Sequence, residues 1–450
     1  MSLLPLSLRA LLGACLLVAL PALANPYETT LANGLKVVVK EDRRAPTVVH
    51  MLWYRVGALD ELTGTTGVAH ALEHMMFKGT QRHGPGEFNR LVAEAGGRDN
   101  AFTSYDFTAY FQQVPKQSLA SMMALEADRM AGLVVNDELF AKEMAVIKEE
   151  RRWRTDDQPR AKLFESLLRS VYHAHPYGRP IIGWMNDLDN LRAQDVRDWH
   201  AAFYAPNNAT LVVVGDVDHA EVFRLAETHY GVVPKRALAQ RKPLAEPPQQ
   251  GPRRVTVRAP AELPYLALVW RAPALGALDA QDEATRQAYA LQVLAGVLDG
   301  YDAARLPRRL VREGKQAVSV GAGYDPLNRG QEALFVLEGV PSAGVPVAKL
   351  EQALRAELAR VAREGVREQE LERVKTQLVA GKVFAQDSLM GQAMQIGGLE
   401  VLGRSWRDEE ILHQRLRAVT AAQVQAAAQS LLADDALSVG ELQPLPMPAR

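Results

Sequence analysis

A proline-rich stretch near the middle of the chain separates two halves whose expected elements follow a similar order. Residues 236–253 carry four prolines among Gln, Lys and Arg residues, which is typical of a linker. On each side of it, strands are followed by helices, further strands and a last strand. The sequence therefore predicts a mixed α+β protein whose two similar sandwich-like halves, residues 25–235 and 254–450, arose by duplication.

Local patterns place the elements of each half. Asn33-Gly34 lies between two β-prone runs and predicts a hairpin, and the run from Asn100 to Val114 predicts a strand pair or one long bent strand. The other elements expected in the first half are strands at residues 47–56 and 209–215 and helices at 67–78, 86–95, 117–131, 136–154, 158–173 and 193–203. Those expected in the second half are strands near 254–271, 316–323, 331–339 and 436–441 and helices near 280–299, 303–313 and 346–430.

Composition limits the classes of protein to consider. The 450 residues exceed one ordinary domain, and 48% hydrophobic with 23% charged residues is usual for a globular chain with sizeable cores. The formal net charge of −1 argues against a general nucleic-acid binder and against a strongly basic membrane-surface protein. Charge alone selects no partner.

Residues 1–24 have the pattern of a secretory signal peptide. Arg9 supplies a positive charge, residues 10–20 are apolar, and small residues precede a cleavage site after Ala24. The apolar run of about 11 residues is shorter than the roughly 20 that a membrane-spanning helix needs. Cys15, the only cysteine, lies in this segment and only faintly resembles a lipoprotein site. We therefore expect an exported protein whose mature chain has neither a membrane span nor a cysteine.

The segment His70-Ala71-Leu72-Glu73-His74 has the spacing of half a catalytic zinc site. On a helix, a spacing of four places the imidazoles of His70 and His74 roughly 40° apart, so both can bind one metal ion. Glu73 lies on the adjoining stripe, where a carboxylate can act as a general base. The alternative is a surface helix with incidental polar residues. The apolar surroundings count against it, because buried imidazoles without partners would cost several kcal/mol.

A third protein ligand is expected on the helix through residues 136–154. Glu143 and Glu150 are seven residues apart and share one face within roughly 20°, whereas Glu149 points about 100° away from Glu150. One member of the pair can be a ligand and the other a supporting carboxylate. The spacing does not decide between them, and an exposed acidic helix face is the alternative. A metal held by one half of a duplicated chain predicts a substrate cleft between the halves.

Several stretches together resemble the pitrilysin and insulinase family of zinc peptidases, whose H-x-x-E-H motif inverts the commoner H-E-x-x-H. The resemblance is to its half-length subunits, related to the mitochondrial processing peptidase and to bacterial processing proteases. The matching stretches are Asn33-Gly34-Leu35, His70 to Thr80, Asn100-Ala101-Phe102-Thr103-Ser104, His175-Pro176-Tyr177, and Tyr204 to Ala209 leading to Gly215-Asp216. They cover essentially the whole mature chain.

The resemblance implies a function and a set of site residues. His70, His74 and Glu150 would hold one Zn²⁺ per chain, with Glu73 as the general base of peptide-bond hydrolysis and Glu143 as a second functional glutamate. The edge segment Asn100, Ala101 and Phe102 would receive a peptide substrate as an added β-strand. These features imply a zinc metalloendopeptidase that acts on peptides or unfolded segments. With the signal peptide, the resemblance to bacterial members implies the bacterial periplasm.

One departure from the family bears on assembly. Members that act alone carry, in the C-terminal half, an Arg and a Tyr seven residues apart that help to bind substrate. Arg312 fits the first place, but the second is occupied by Ser319, or by Val318 if one residue is missing, and Tyr324 is the nearest tyrosine. The resemblance therefore implies a heterodimer in which a homologous subunit supplies the pair.

Two other functional classes are compatible with the sequence. The first is an assembly subunit with little activity of its own, and the second is a protein that binds peptides in the cleft without cleaving them. A complete set of ligands with Glu73 counts against both.

Overall fold

Two mixed sheets, one from each half of the chain, organise the protein. The structure, a computed structural model, describes residues 25–447 apart from the side chains of residues 382, 383 and 385. The expected signal peptide and Cys15 lie outside the described residues. The strands are β1 (Tyr27–Thr30), β2 (Lys36–Glu41), β3 (Thr47–Tyr54), β4 (Arg98–Thr103), β5 (Thr108–Pro115), β6 (Ala209–Gly215), β7 (Arg253–Pro260), β8 (Tyr265–Pro273), β9 (Ala317–Tyr324), β10 (Glu332–Pro341) and β11 (Leu437–Leu445).

The two sheets share one topology. The first has the order β1-β2-β6-β3-β5-β4 and the second β7-β11-β8-β10-β9. The pairs β2–β6 and β7–β11 are parallel, and the pairs that follow them in each sheet are antiparallel. Strand β1, which forms the expected hairpin with β2, is the one addition in the first sheet. The structure thus confirms the α+β class and the two similar halves.

Helices cover the faces of both sheets. They are α1 (Val68–Met75), α2 (Glu87–Glu94), α3 (Leu119–Gly132), α4 (Asp137–Arg151), α5 (Pro159–Val171), α6 (Met185–Asn190), α7 (Ala193–Phe203), α8 (His219–Tyr230), α9 (Glu283–Asp299), α10 (Val347–Glu364), α11 (Glu368–Ala385), α12 (Leu389–Val401), α13 (Asp408–Ala418) and α14 (Ala421–Ser430). In residues 25–447, no helix is both long enough and apolar enough to span a membrane.

Some elements differ from the expectations. The expected helix near residues 303–313 is a π-helical turn at Pro307–Glu313, and a second such turn, Arg152–Asp156, follows α4. Helices α6 and α8 were not expected. Helix α8 buries only a thin apolar stripe, but it is capped by Asp218, which accepts the N–H of Glu221 at 3.1 Å. An Asp followed three residues later by Glu is a start signal that the apolar pattern alone does not contain.

Each half places one helix on the outer face of the other half's sheet. Helix α5 packs on the second sheet through Leu163 and Leu167, and α12 packs on the first sheet through Ala393 and Ile396. These contacts bury the face that each half's own helices leave uncovered, so the halves share two hydrophobic clusters. Close approach of α12 requires Gly397, because a Cβ atom there would lie 2.0 Å from Nε1 of Trp53.

The linker lies against both halves. Residues 236–252 form no helix or strand. Arg241 pairs with Asp60 at 2.6 Å, and Arg329 of the second half pairs with the same carboxylate at 2.5 Å. Further along, the Glu246 carboxylate accepts the backbone N–H groups of residues 173–175. On the other side, Arg271 of the second half donates to the carbonyl oxygen of Glu246, so the linker contacts both halves. The exact domain boundaries at 235 and 253 stay predictions.

Candidate metal centre

Helix α1, which carries both histidines, begins at a position that the local sequence defines closely. Gly67 precedes it with φ +88°, and a Cβ atom there would lie 2.6 Å from the carbonyl oxygen of Ile182. The buried Glu61 carboxylate accepts the N–H groups of Gly67 and Ala69, each at 2.9 Å. Acceptor oxygens at a helix N-terminus satisfy backbone donors that would otherwise be unpaired. The start of α1 is therefore fixed by Gly67 and Glu61.

Three side chains from α1 and α4 converge as potential metal ligands. One ligand atom each from His70, His74 and Glu150 lies within 4.8 Å of the other two. Glu150 Oε2 is 3.7 Å from His70 Nε2 and 3.3 Å from His74 Nε2. Two imidazole nitrogens and one carboxylate oxygen form a donor set that zinc uses in catalytic sites.

The environment of Glu150 fits a bound metal ion. Its Oε2 atom is buried and makes no well-aligned hydrogen bond among the described residues, because its polar neighbours are the two imidazole nitrogens at 3.3 and 3.7 Å; a cation among these atoms would complete their interactions. Its other oxygen, Oε1, is paired with Arg154 at 2.8 Å. One oxygen of Glu150 is thus occupied, and the other faces the two imidazoles.

The pKa values of the two histidines shift in opposite directions. Burial, with the neighbouring His74, lowers the pKa of His70 to about 4, so this imidazole is neutral at physiological pH. Burial alone would lower the pKa of His74 as well, but the carboxylates of Glu150 and Glu143 outweigh it and raise the value. Contact with His74 lowers the pKa of Glu150. A neutral imidazole and an ionised carboxylate are the forms that bind metal, so the shifts of His70 and Glu150 favour metal binding, whereas a metal ion must compete with a proton at His74.

Glu143 lies behind His74, outside the group of three. Its Oε2 is 3.3 Å from His74 Nδ1, and its Oε1 is 2.7 Å from Lys78 Nζ. The sequence left open which member of the pair, Glu143 or Glu150, is the ligand. In the structure, Glu150 lies beside both histidines, whereas Glu143 contacts the far side of one imidazole. A carboxylate in that position can fix the ring orientation and the tautomer of a ligand.

Glu73 is partly buried beside the three ligands and does not join them. Its Oε2 accepts a 2.5 Å hydrogen bond from the Thr103 hydroxyl on β4. Burial raises the pKa of Glu73, although Thr103 and His74 oppose the shift. A carboxylate with a raised pKa beside a metal site can accept and return a proton near neutral pH.

The ligands open into a cavity of about 730 Å³. Every residue that lines it falls between His70 and Ile182, so no described residue of the second half takes part. Asn100, Ala101 and Phe102 line it together with the ligands and Glu73. Two of its walls, formed by α5 and by residues 178–182, are mainly apolar but include Glu165 and Arg179.

The strand that carries Asn100, Ala101 and Phe102 is an edge of the first sheet. Strand β4 pairs with β5 on one side only. The N–H of Ala101 donates to the side-chain Oδ1 of Asn100 at 2.9 Å and to no neighbouring strand. The Phe102 ring packs at right angles against Trp53 and so contributes to the sheet core. The segment is thus placed to offer main-chain groups to a peptide.

The C-terminal residues that the resemblance singled out are not part of this cavity. Arg312 is exposed in the π-helical turn Pro307–Glu313, and Ser319 is exposed on β9. The Tyr324 hydroxyl is engaged elsewhere, because it donates to the carbonyl oxygen of Pro273. None of the three lines the cavity beside the histidines.

Two residues of the centre were missed in the sequence. Arg154 follows Glu150 by four residues, a spacing that pairs side chains on a helix. Thr103 directly follows the edge segment, but only the fold brings β4 beneath α1.

A second group of potential metal ligands lies elsewhere in the first half and consists of Glu41, Asp218 and His219. Two of its members already hydrogen-bond to each other, since Glu41 Oε1 accepts from His219 Nδ1 at 2.8 Å.

Comparisons with known proteins agree with this architecture. Residues 36–184 match the family described as insulinase (peptidase family M16), and residues 190–378 match the peptidase M16 inactive domain. The zinc protease PqqE of Helicobacter pylori is 32% identical over 383 residues, which cover 82% of this chain and 84% of that protein. An uncharacterized zinc protease of Mycobacterium tuberculosis is 29% identical over 419 residues, 90% and 91% of the two chains.

Solved structures show the same fold. The crystal structure of a protease from Helicobacter pylori has a TM-score of 0.86 and 27% identity, and it covers 94% of this chain and 100% of its own. The periplasmic protease PqqL of Escherichia coli has a TM-score of 0.79 and 21% identity. That match covers 94% of this chain but 48% of PqqL, so this chain spans about half of the PqqL length.

Proposed function

Because this chain belongs to the insulinase family of peptidases, family M16, we propose that it is a zinc-dependent endopeptidase that cleaves peptides or unfolded segments. The observation that carries the proposal is the convergence of His70, His74 and Glu150, with Glu150 Oε2 facing both imidazoles, beside the carboxylate of Glu73. Relatives named as zinc proteases support zinc as the metal.

Each residue of the centre has a separate role in the proposed reaction. His70, His74 and Glu150 would hold the ion, and a bound zinc supplies Lewis acidity that polarises a peptide carbonyl and lowers the pKa of water. Glu73 takes the proton of the attacking water and returns it to the leaving amine. Glu143 orients His74 through Nδ1, and Arg154 holds the second oxygen of Glu150.

Strand β4 is the proposed binding edge for the peptide. Its segment from Asn100 to Phe102 lines the cavity at the open edge of the first sheet, so a substrate in extended conformation can add a strand there. In this mode, main-chain hydrogen bonds supply affinity, and the cavity walls select side chains. An extended strand requires an unfolded segment, which agrees with peptides or unfolded proteins as substrates.

The second part of the proposal is a heterodimer. No described residue of the second half lines the cavity, and Arg312 lies outside it without a tyrosine at position 319. PqqL, whose chain is about twice as long, contains one matching unit in its first half, at 92% coverage of that half. We infer that a homologous subunit closes the site here and supplies the Arg and Tyr. The signal-peptide pattern and the periplasmic PqqL support the periplasm as location.

Metal removal and restoration test the catalytic proposal. The purified chain, alone and with a co-expressed homologue, is assayed on unfolded casein before and after chelation and after addition of zinc. We expect hydrolysis to disappear with the metal and to return with one zinc per chain. Glu150→Gln should lose zinc, whereas the matched variant Glu149→Gln, whose side chain is exposed and paired with Arg152, should keep it. Undiminished hydrolysis by the zinc-free protein would contradict the proposal.

The alternative function is an assembly or peptide-binding subunit with little activity alone. It predicts that zinc and peptide bind but that no preparation, with or without a homologue, hydrolyses casein. The heterodimer predicts weak activity of the isolated chain and recovery on co-expression. Full activity of a monomer, measured by light scattering with the assay, would contradict the heterodimer and leave the catalytic proposal intact.

A further inference from the structure

A single hydrogen bond connects the edge strand to the residue proposed as the base. The Thr103 hydroxyl, on the last residue of β4, donates to Glu73 Oε2 at 2.5 Å. Among the described residues, no other side chain or backbone group hydrogen-bonds the Glu73 carboxylate. This bond therefore determines which way the carboxylate is turned.

The main chain of Thr103 faces the open side of the same strand. Just beyond β4, the N–H of Ser104 donates to the carbonyl oxygen of Phe107 at 2.8 Å. In an antiparallel pair, hydrogen-bonded and non-hydrogen-bonded residues alternate, so Thr103, opposite Thr108, is non-bonded, as is Ala101 two residues before it. The N–H of Ala101 accordingly bonds only the Asn100 side chain. The N–H and C=O groups of Ala101 and Thr103 thus point away from β5.

We propose that Thr103 is a positioning residue that couples peptide binding along β4 to the orientation of Glu73. A peptide strand that pairs with the main chain of Thr103 restrains this residue, and the Thr103 hydroxyl holds Oε2 of Glu73 so that Oε1 is left for proton transfer. The inference rests on the proposed function, because it assumes that Glu73 is the base and β4 the binding edge.

Two substitutions separate the hydroxyl from the rest of the side chain. Thr103→Val keeps the β-branched shape that suits a strand but removes the donor, and Thr103→Ser keeps the donor. We expect the Val variant to lower kcat about 10- to 100-fold with KM nearly unchanged, as expected for a displaced catalytic group, and the Ser variant to restore most of it. Zinc content and melting temperature should match the wild type. The control is Thr30→Val, an exposed threonine on β1 at the opposite edge of the sheet.

A double-variant cycle adds a measurement that a merely structural role would not change. In the Glu73→Gln background, Thr103→Val should not lower the residual rate further, because the carboxylate that it positions is gone. The affinity of Glu73→Gln for an uncleaved fluorescent peptide, drawn from the casein digest, should be equal with and without Thr103→Val. These two affinities measure peptide binding alone, because the Glu73→Gln background does not cleave the peptide.

The outcomes distinguish this inference from the function on which it rests. If the wild type hydrolyses casein and Glu73→Gln does not, the function stands. Wild-type kcat in Thr103→Val would then overturn the coupling alone. So would a raised KM with unchanged kcat, because it would assign the hydroxyl to peptide binding. A Val variant that fails to fold shifts the test to Thr103→Ala against Thr103→Ser, for which the same kcat difference is expected.

Discussion

Nδ1 of His74 lies 3.3 Å from Oε2 of Glu143, on the side of the ring opposite the atom that faces Glu150. The carboxylate of Glu143 is itself held by Lys78 at 2.7 Å. One imidazole is thus clamped between two glutamates of the same helix, α4, and the outer glutamate is fixed by a lysine just past α1. The arrangement presents Nε2 of His74 in one orientation before any ion binds.

Glu143→Gln should therefore weaken zinc binding without removing a ligand. The amide cannot accept a charge-assisted hydrogen bond from the imidazole, and loss of such partners lowers metal affinity roughly 10- to 100-fold. Competition with a chromophoric chelator measures the change. Glu138→Gln, an exposed residue at the start of the same helix paired only with Lys142, is the control and should bind zinc like the wild type. Equal affinities of both variants would show that Glu143 does not support the centre.

Gly397→Ala should destabilise the protein, because α12 meets the first sheet there. The added methyl group would lie 2.0 Å from Nε1 of Trp53, which is buried and cannot move aside. Overpacking of this kind costs about 1–3 kcal/mol of unfolding free energy. The adjacent Gly398 has nothing within 4 Å of its Cβ position, so Gly398→Ala should be neutral or slightly stabilising through helix propensity. Denaturant unfolding compares the two, and equal effects would contradict the packing of α12 on Trp53.

This contact also shows which features a sequence can reveal and which it cannot. The hairpin at Asn33-Gly34, the strand at 209–215 and the helix with His70 and His74 follow from local patterns, and the structure has all three. The exchange of α5 and α12 between the sheets has no local signal. An apolar helix stripe is the same whether it covers its own half or the other.

The metal centre likewise combines features that the sequence reveals with features that only the fold reveals. Spacing alone placed Glu143 and Glu150 on one helix face, but only the packing of α4 against α1 brings Glu150 to the imidazoles and puts Glu143 behind one of them. Thr103 and Glu73 are 30 residues apart in sequence, and no periodicity links them. The resemblance to a family predicted which residues are the ligands. The hydrogen bonds around these residues could be found only in the three-dimensional structure.

The stability of the metal-free protein should depend on pH through Glu61. Burial raises the pKa of this carboxyl from 4.5 to about 8, although the N–H groups of Ala69 and Gly67 oppose the shift. Between these values the folded state retains a proton that the unfolded state releases. Unfolding free energy therefore falls as pH rises from 4.5 to 8, by up to about 5 kcal/mol.

The variant Glu61→Gln isolates this contribution. Glutamine does not titrate, so the difference in unfolding free energy between wild type and variant should favour the wild type most at pH 4.5 and shrink or reverse by pH 8. Urea unfolding of the metal-free proteins at several pH values measures it. A difference that does not change with pH would contradict a raised pKa for Glu61.

Hydrolysis by Glu73→Gln tests the central claim most directly. The substitution keeps the size of the side chain and leaves His70, His74 and Glu150 in place, so the variant should bind one zinc per chain and still capture peptide. Its turnover of casein, measured beside the wild type with the same partner, should fall by about 100-fold or more. A zinc-loaded variant that cleaves as fast as the wild type would show that Glu73 is not the base, and the proposed mechanism would be wrong.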